Sequence, residues 1–324
     1  MFKTPILFLI FNRPENTQRV FEEIRKQKPK YLFIAADGPR SHFEEDIEKC
    51  KITRKIVFDG IDWDCEVKIL FRSENLGCGK AVQDALNWFF TEVEMGIIIE
   101  DDIIPDPSFF DYSALMLKKY RNNNNIFSIN GYSLGYKNHN YEYGLTRYFN
   151  MWGWATWRRS NDLVNKTWPT YDGTLDFKKS NKFLKTLKLP TIWLQNEWFE
   201  RWRYLFDQTK SGNIDTWDYQ WIYTCLKSEG FCIRPNLNMI NNIGFNKNST
   251  HTPQAPHYKL NNIKIYSLKI TDNCQKGKMR IDKKYEIQNV AEYWNGVIID
   301  YKSSKRKFKK YTFNWIKSIF FNNT

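Results

Sequence analysis

Long apolar runs alternate with polar, helix-compatible segments through the first hundred residues of this 324-residue chain. Each run is continuously apolar, which is typical of strands that are buried on both faces of a parallel sheet. The predicted strands are Pro5–Phe11, Tyr31–Ala36, Val67–Phe71 and Gly96–Ile99, and the predicted helices are Glu15–Gln27, Phe43–Phe58 and Lys80 to about Glu94. This rhythm predicts an α/β fold with a mostly parallel central sheet and helices on both faces.

Three consecutive carboxylates, Glu100, Asp101 and Asp102, follow the fourth predicted strand directly. Ligands of such sheets bind outside the carboxyl ends of the strands, so the triplet and Asp37, which ends the second strand, should face one crevice. Clustered carboxylates repel one another unless a cation compensates them. Their hard oxygen ligands suit Mg²⁺ or Mn²⁺, which can bridge to a diphosphate. A solvated acidic turn is the alternative interpretation.

The formal net charge of +13 admits three kinds of partner: nucleic acid, an anionic membrane surface or a phosphorylated substrate. The basic residues are concentrated after Lys302, where no acid occurs. Aromatic residues at helical spacing between Phe308 and Phe321 predict a basic C-terminal helix on an anionic membrane surface. A helix packed on the body, or a solvated tail, remains the alternative.

Six scattered cysteines without a C-x-x-C pair argue against a zinc ribbon and indicate free thiols in a reducing compartment. No apolar stretch is long enough to cross a bilayer. We therefore expect a cytoplasmic protein, peripheral on the inner face of the plasma membrane.

Several ordered motifs carry a family resemblance. The string Ile98–Asp102, followed by Pro107–Phe110, resembles the metal motif and following helix of the inverting N-acetylglucosaminyltransferase that initiates complex N-glycans. Further matches in the same order are Phe149–Trp154, Trp217-Asp218, Cys232–Pro235 and Thr250-His251. Among its relatives, the chain more closely resembles bacterial sugar-nucleotide transferases of surface-polysaccharide loci. The resemblance covers roughly residues 5–252 and implies a GT-A type, Rossmann-like fold.

The resemblance implies a role for each residue of the triplet and for two residues near the nucleotide. Asp102 would be the direct metal ligand, Asp101 would lie near the ribose and Glu100 near the hydroxyls of the donor sugar. Asp37 would accept a hydrogen bond from a uracil ring. Arg13 would pair with nucleotide or phosphate through its fork of donors, although a surface arginine in a turn is the alternative.

Asp218 is the predicted general base, which would take the proton of the acceptor hydroxyl in an inverting transfer. The relative carries two adjacent acids after its tryptophan, so the register is uncertain by one residue and Asp215 is the fallback. A helix N-cap is the alternative role of Asp218. By resemblance, Thr250 would donate to a phosphate, and His251 would do the same or complete the metal shell.

Two further pairs of residues are assigned to the nucleotide-sugar site. Asn75 and Lys80 belong to a turn that resembles one lining the nucleotide pocket in related transferases, although such turns are common. Trp152 and Gly153 belong to an aromatic motif, in which Trp152 and Trp154 form either a wall against a sugar or a buried cluster.

These interpretations divide the chain into a nucleotide-sugar-binding half (1–103), an acceptor-binding and catalytic half (104–261) and a basic C-terminal extension (262–324). The expected activity is a metal-dependent inverting transfer from a UDP-sugar, carrying an N-acetylhexosamine or a hexose, to a saccharide or lipid-linked saccharide acceptor of a surface glycan. A non-catalytic carbohydrate-binding protein is the first alternative. A sugar-nucleotide nucleotidyltransferase would need a glycine-rich loop after the first strand, and a nuclease is disfavoured because no nucleic-acid motif occurs.

Overall fold

The computed structural model describes residues 1–133, 142–173, 192–244, 264–268, 277–281 and 285–286. Its helices are α1 (Pro14–Gln27), α2 (Glu44–Asp59), α3 (Cys78–Glu92), α4 (Pro107–Lys119), α5 (Arg158–Thr167), α6 (Ile192–Lys210) and α7 (Asp218–Lys227). Its strands are β1 (Ile6–Ile10), β2 (Tyr31–Ala36), β3 (Glu66–Phe71), β4 (Met95–Glu100), β5 (Ile103–Pro105), β6 (Ile126–Asn130), β7 (Tyr143–Thr146), β8 (Trp154–Trp157), β9 (Phe231–Pro235), β10 (Ile240–Asn242) and β11 (Gly277–Ile281).

The predicted elements of the first hundred residues are confirmed. The ends of the four strands and three helices agree with the prediction within two residues. In α1 the local causes are clear: Pro14 occupies the first turn, and Val20, Phe21 and Ile24 form its buried face at helical spacing. The helix ends at Lys28, which adopts the left-handed conformation with φ of 47°.

The central sheet is mixed but mostly parallel, which confirms the predicted fold class. Within the described residues its strand order is β11-β7-β9-β6-β8-β4-β1-β2-β3. Strands β4, β1, β2 and β3 run parallel to one another, whereas β8 pairs antiparallel with both β4 and β6. A separate antiparallel pair joins β5 to β10.

The order of the strands reverses at β1. The chain passes from β1 to β2 and β3 on one side, then returns to place β4 on the other side of β1. Such a topological switch point leaves a crevice outside the carboxyl ends of the two strands, where ligands of open α/β sheets bind. The fold therefore predicts a binding site where Phe11 to Arg13 leave β1 and Glu100 to Asp102 leave β4.

Both faces of the sheet are covered by apolar cores, as the continuous runs require. Along β1, Leu7 and Leu9 join one core, whereas Ile6 and Phe8 join the core on the opposite face. This alternation follows from the period of two of a strand, so a run without polar residues serves both faces.

The abundant aromatic residues are largely used in the core. Trp154 packs against Trp217 and Trp221, with ring centroids 5.5 and 4.7 Å apart, and Phe149 lies 4.8 Å from Trp154. The side chains of Trp154 and Trp221 are fully buried. Trp154 therefore belongs to a buried cluster and does not form a wall of a binding site.

Two segments of the predicted C-terminal extension (262–324) pack on the body of the protein. Strand β11 pairs parallel with β7, and Tyr285 is buried with the Arg234 guanidinium 4.1 Å from its ring centroid. Buried Glu286 accepts a hydrogen bond from Thr146 at 2.6 Å. These segments of the extension therefore contribute a strand to the sheet and buried side chains to its surroundings.

The described residues bear on two expectations from the sequence, the lack of a membrane-spanning helix and the free state of the cysteines. No helix in the described ranges is long and apolar enough to cross a bilayer. The cysteines among the described residues are all free thiols. The predicted tail helix between Phe308 and Phe321 lies outside the described residues.

Candidate active site

The candidate site is a crevice at the carboxyl ends of β1 and β4. A cavity of about 250 Å³ opens there, with walls formed by the ends of β1, β2 and β4 and by the turn before α3. Seven predicted residues line this cavity, and Asp218 is not among them: Arg13, Asp37, Asn75, Glu100, Asp101, Asp102 and the fallback base Asp215. The structure therefore brings the acidic triplet and Asp37 to one crevice, as expected from their positions after parallel strands, and adds Arg13 to them.

Arg13 connects two carboxylates of the triplet. Its Nη1 donates to Asp101 Oδ1 at 3.1 Å and to Asp102 Oδ2 at 2.7 Å. Asp101 Oδ2 also accepts the backbone N–H of Phe11 at 3.1 Å. Because the donors follow β1 and the acceptors follow β4, these bonds join the two strands at the switch point. With 23% of its side chain exposed, Arg13 is a cavity residue and not a surface arginine.

Burial and mutual repulsion shift the pKa values of the triplet. Burial raises the pKa of Glu100 well above its usual range, and Asp102 and Asp101 raise it further. Burial also raises the pKa of Asp101 to about 6, against the opposing effect of Arg13. For Arg13, burial lowers the pKa, but the three carboxylates outweigh burial and raise it. A cation bound in this crevice would favour the ionised acids.

Side-chain oxygen atoms of Asp102 and Asn242 lie beside Gly244. A Cβ atom on Gly244 would lie 2.2 Å from Asp102 Oδ2 and 3.1 Å from Asn242 Oδ1, and Asn242 Oδ1 accepts the N–H of Gly244 at 2.8 Å. The N–H of Ile243 donates to the Asp102 carbonyl at 2.8 Å, which holds this segment in place. Within the described residues no three His, Cys, Asp or Glu side chains form a metal cage. Mg²⁺ commonly takes one or two protein carboxylates and completes its shell with water and phosphate.

Asp37 directly follows β2, and the turn before α3 binds its carboxylate. Oδ1 accepts the N–H groups of Gly38 at 2.9 Å and Leu76 at 3.0 Å. Oδ2 accepts the Asn75 amide at 2.9 Å and the N–H of Gly77 at 3.2 Å. Burial raises the pKa of Asp37, and the backbone hydrogen bonds oppose that shift. A carboxylate offers about four lone-pair sites, so the predicted bond to a uracil ring would require one of these donors to leave.

Arg40 and Arg72 line the cavity but were not predicted. Nε and Nη2 of Arg40 donate to Asp46 at 2.6 and 3.0 Å, and the Asn12 amide donates to the same carboxylate at 2.7 Å. The Asp46 side chain has no exposed surface. The sequence could have indicated both arginines as site residues, because each closely follows the carboxyl end of a predicted strand, at the edge of the sheet where Arg13 and the triplet lie.

Asp218 and Asp215 have different environments. Asp218 is half-buried, opens α7 and accepts a hydrogen bond from the Thr216 hydroxyl. Burial raises the pKa of Glu100, and Asp218 is close enough to contribute to that rise. Asp215 instead accepts the N–H groups of Cys78 at 2.8 Å and Gly79 at 2.7 Å, at the first turn of α3. Asp215 therefore links the start of α7 to α3.

Lys80, Trp152 and Gly153 lie outside the cavity wall. Lys80 is exposed in the first turn of α3. Trp152 is half-buried with its ring edge against Tyr132, 4.7 Å between centroids. Gly153 has φ of 59°, and a Cβ atom there would lie 2.3 Å from Ile240 Cδ1. Gly153 thus serves close packing, because both its conformation and its contact exclude a side chain.

The remaining predicted residues, Thr250 and His251, lie outside the described residues. The described chain ends at Gly244 beside Asp102 and resumes at residue 264. Their assignment to phosphate and metal therefore stays a prediction.

Comparison with known proteins finds similarity to solved structures. No protein-family model matches the chain, and no curated protein matches it. Among solved structures, HddC from Yersinia pseudotuberculosis is similar over 55% of this chain and 85% of its own, with 13% identity and a TM-score of 0.31. Mouse xyloside xylosyltransferase 1, in its apo form, is similar over 70% of this chain and 82% of its own, with 9% identity and a TM-score of 0.30. At these values neither similarity assigns an activity.

Proposed function

We propose that this chain transfers a sugar from a UDP-sugar in a metal-dependent, inverting reaction at the crevice between β1 and β4. The observation that carries the proposal is the pairing of Arg13 with Asp101 and Asp102 inside the cavity. A diphosphate requires cationic partners, and a divalent cation requires hard oxygen ligands. Both kinds of group meet at the topological switch point, where nucleotides bind in sheets of this type.

Asp102 and Asn242 would hold Mg²⁺ or Mn²⁺. When bound, the ion supplies positive charge that stabilises the diphosphate as a leaving group. Arg13 would supply further positive charge, since its guanidinium N–H groups suit phosphate oxygens. The family resemblance assigns Asp101 to the ribose and Glu100 to the hydroxyls of the donor sugar.

Asp218 is our candidate for the general base. A carboxylate in the first turn of a helix is stabilised as an anion, and its bond from the Thr216 hydroxyl fixes its orientation. An ionised carboxylate can accept the proton of the acceptor hydroxyl as that oxygen attacks the anomeric carbon. Asp215 is better suited to positioning, because the N–H groups of Cys78 and Gly79 already engage its two oxygens.

The acceptor would be a saccharide or a lipid-linked saccharide of a surface glycan. This part of the proposal rests on the family resemblance and on the basic sequence after Lys302. A tail of this composition would attach to anionic lipids on the inner face of the plasma membrane. Deletion of residues 302–324 should release the protein from anionic vesicles and leave donor hydrolysis unchanged.

A screen of nucleotide sugars by donor hydrolysis, followed by two matched substitutions, tests the proposed reaction. Asp218→Asn should bind UDP like the wild type while transfer falls by about 100- to 10,000-fold, as expected for loss of a general base. Asp215→Asn should retain most of the transfer, because its amide oxygen still accepts one of the two N–H bonds. Full transfer by Asp218→Asn would exclude it as the base, and hydrolysis of no nucleotide sugar would overturn the proposed function.

A further inference from the structure

Arg40 is held in one position at the cavity wall. Its Nε and Nη2 atoms form a two-bond fork with Asp46, whose side chain is fully buried. The guanidinium carbon lies 3.9 Å from the ring centroid of Phe43 and 5.8 Å from that of Phe11. A guanidinium that is fixed along one edge and stacked on one face loses little freedom when a ligand binds its remaining edge.

The remaining edge of Arg40 is available to a ligand. In the described part of the chain, Nη1 of Arg40 has no hydrogen-bond acceptor, whereas Nε and Nη2 are engaged by Asp46. Arg40 nevertheless lines the same cavity as Arg13 and Asp102. The Arg40 side chain is 35% exposed, so a ligand that enters the cavity can replace water at Nη1 with an acceptor atom of its own.

The place of Arg40 along the sheet indicates which part of the ligand it meets. Asp102 follows β4 and Arg40 follows β2, with β1 between them. Arg40 therefore lies on the β2 and β3 side of β1, whereas Asp102 lies on the β4 side. If the diphosphate binds beside Asp102 and Arg13, the nucleobase lies toward β2 and β3.

The hydrogen bonds of Asp37 indicate that a protein donor, and not this carboxylate, recognises the base. Its carboxylate would be the natural acceptor for a ring N–H at this end of the cavity. Both of its oxygens, however, already accept donors from the turn at Gly38 and Asn75 to Gly77. We therefore expect the protein to recognise the base by donating hydrogen bonds to its acceptor atoms and not by accepting one from its ring N–H.

We infer that Arg40 is a specificity-determining residue that selects uracil over cytosine by donating from Nη1 to the O4 carbonyl of the base. Cytosine carries an amino group at that position, which is a donor and opposes the guanidinium N–H. This inference rests on the proposed function, because it assumes that a nucleoside diphosphate occupies the cavity. It adds Arg40 to the proposed nucleotide site and a preference for uracil, which the acidic triplet does not provide.

The test compares UDP with CDP, titrated calorimetrically in the presence of Mn²⁺ into full-length wild type, Arg40→Met and Arg25→Met. Arg25 is the matched control, since it makes the same fork with Asp62 at an exposed site outside the cavity. Wild type and Arg25→Met should bind UDP about 10- to 100-fold more tightly than CDP. In Arg40→Met this ratio should fall to about one, with CDP affinity unchanged.

Thermal unfolding of each variant shows whether Arg40→Met is folded. If it is not, Arg40→Lys replaces it and should also lose the ratio, because one ammonium group cannot serve both Asp46 and the base. An unchanged ratio in the Arg40 variant, or equal affinity of wild type for UDP and CDP, would overturn base selection alone. Equal loss of both nucleotides would place Arg40 on the phosphates and also overturn it. Binding of neither nucleotide by wild type would instead reject the proposed function.

Discussion

Arg13 Nη1 lies 2.7 Å from Asp102 Oδ2, the carboxylate oxygen that we assign to the metal. In this arrangement the arginine is the counter-ion of the acidic triplet. A divalent cation and Arg13 therefore compete for the same carboxylate until a diphosphate offers the guanidinium other oxygen atoms. Nucleotide and metal should consequently bind cooperatively, because each relieves the charge that the other leaves uncompensated.

Replacement of Arg13 by methionine should have opposite effects on the two ligands. Mn²⁺ should bind about tenfold more tightly without nucleotide, because one competing charge is removed. UDP should bind about tenfold more weakly, because a charge-assisted hydrogen bond to phosphate is lost. Electron paramagnetic resonance of free Mn²⁺ measures the first effect, and calorimetry measures the second. Weaker binding of Mn²⁺ alone would contradict the counter-ion role.

Replacement of Gly244 by alanine should displace the Asp102 carboxylate. The added Cβ atom would lie 2.2 Å from Asp102 Oδ2, closer than unbonded atoms approach, so the side chain must move. Mn²⁺-dependent UDP binding should fall by about tenfold or more, because a displacement of this size removes a ligand from its position.

Gly230 provides the matched control for Gly244. A Cβ atom at Gly230 would come no closer than 3.4 Å to any neighbour, which is ordinary contact. Gly230→Ala should therefore bind Mn²⁺ and UDP like the wild type. Equal behaviour of the two alanine variants would show that the Asp102 position is not what the Gly244 substitution changes.

The sequence predicts the central part of the site because its signals are local. Continuous apolar runs identify the parallel strands, and the rule for their carboxyl ends places Asp37 and the acidic triplet at one crevice without a structure. Short continuous apolar runs of this kind are typical of strands buried on both faces, so few other secondary-structure elements fit them. The ends of these strands were therefore the most predictable positions in the chain.

Contacts between distant parts of the chain were not predictable in the same way. The carboxylate of Asp215 binds the N–H groups at the start of α3, 136 and 137 residues away. Glu286 enters the core beside Thr146 from a segment whose composition resembles a polar tail. A single sequence contains no periodicity that reports such pairings, so Asp215 was predicted only as the fallback base and residue 286 only as part of the basic extension.

The buried Glu286 should make stability depend on pH. Burial raises its pKa to about 7, while the bond from Thr146 opposes the shift. Because the folded state binds this proton more tightly than the unfolded state, the stabilisation is complete below about pH 4.5 and is lost as the pH rises through 7. The difference corresponds to about 3 kcal/mol of unfolding free energy.

Glu286→Gln isolates this effect, since glutamine keeps an oxygen acceptor for Thr146 but carries no proton to titrate. Urea unfolding of wild type and variant should give unfolding free energies that diverge between pH 4.5 and 8. The variant should be more stable relative to the wild type at the upper end by up to about 3 kcal/mol. Parallel pH profiles would show that Glu286 does not change its protonation in this range.

Calorimetric titration of UDP with and without Mn²⁺, in wild type and Asp102→Asn, tests the central claim most directly. Asparagine preserves the shape of the side chain and removes the charge that a divalent cation requires. The predicted result is that Mn²⁺ strengthens UDP binding to the wild type by at least about tenfold and leaves the Asp102→Asn variant unaffected. Equal strengthening in both proteins, or none in the wild type, would contradict a metal site at the end of β4.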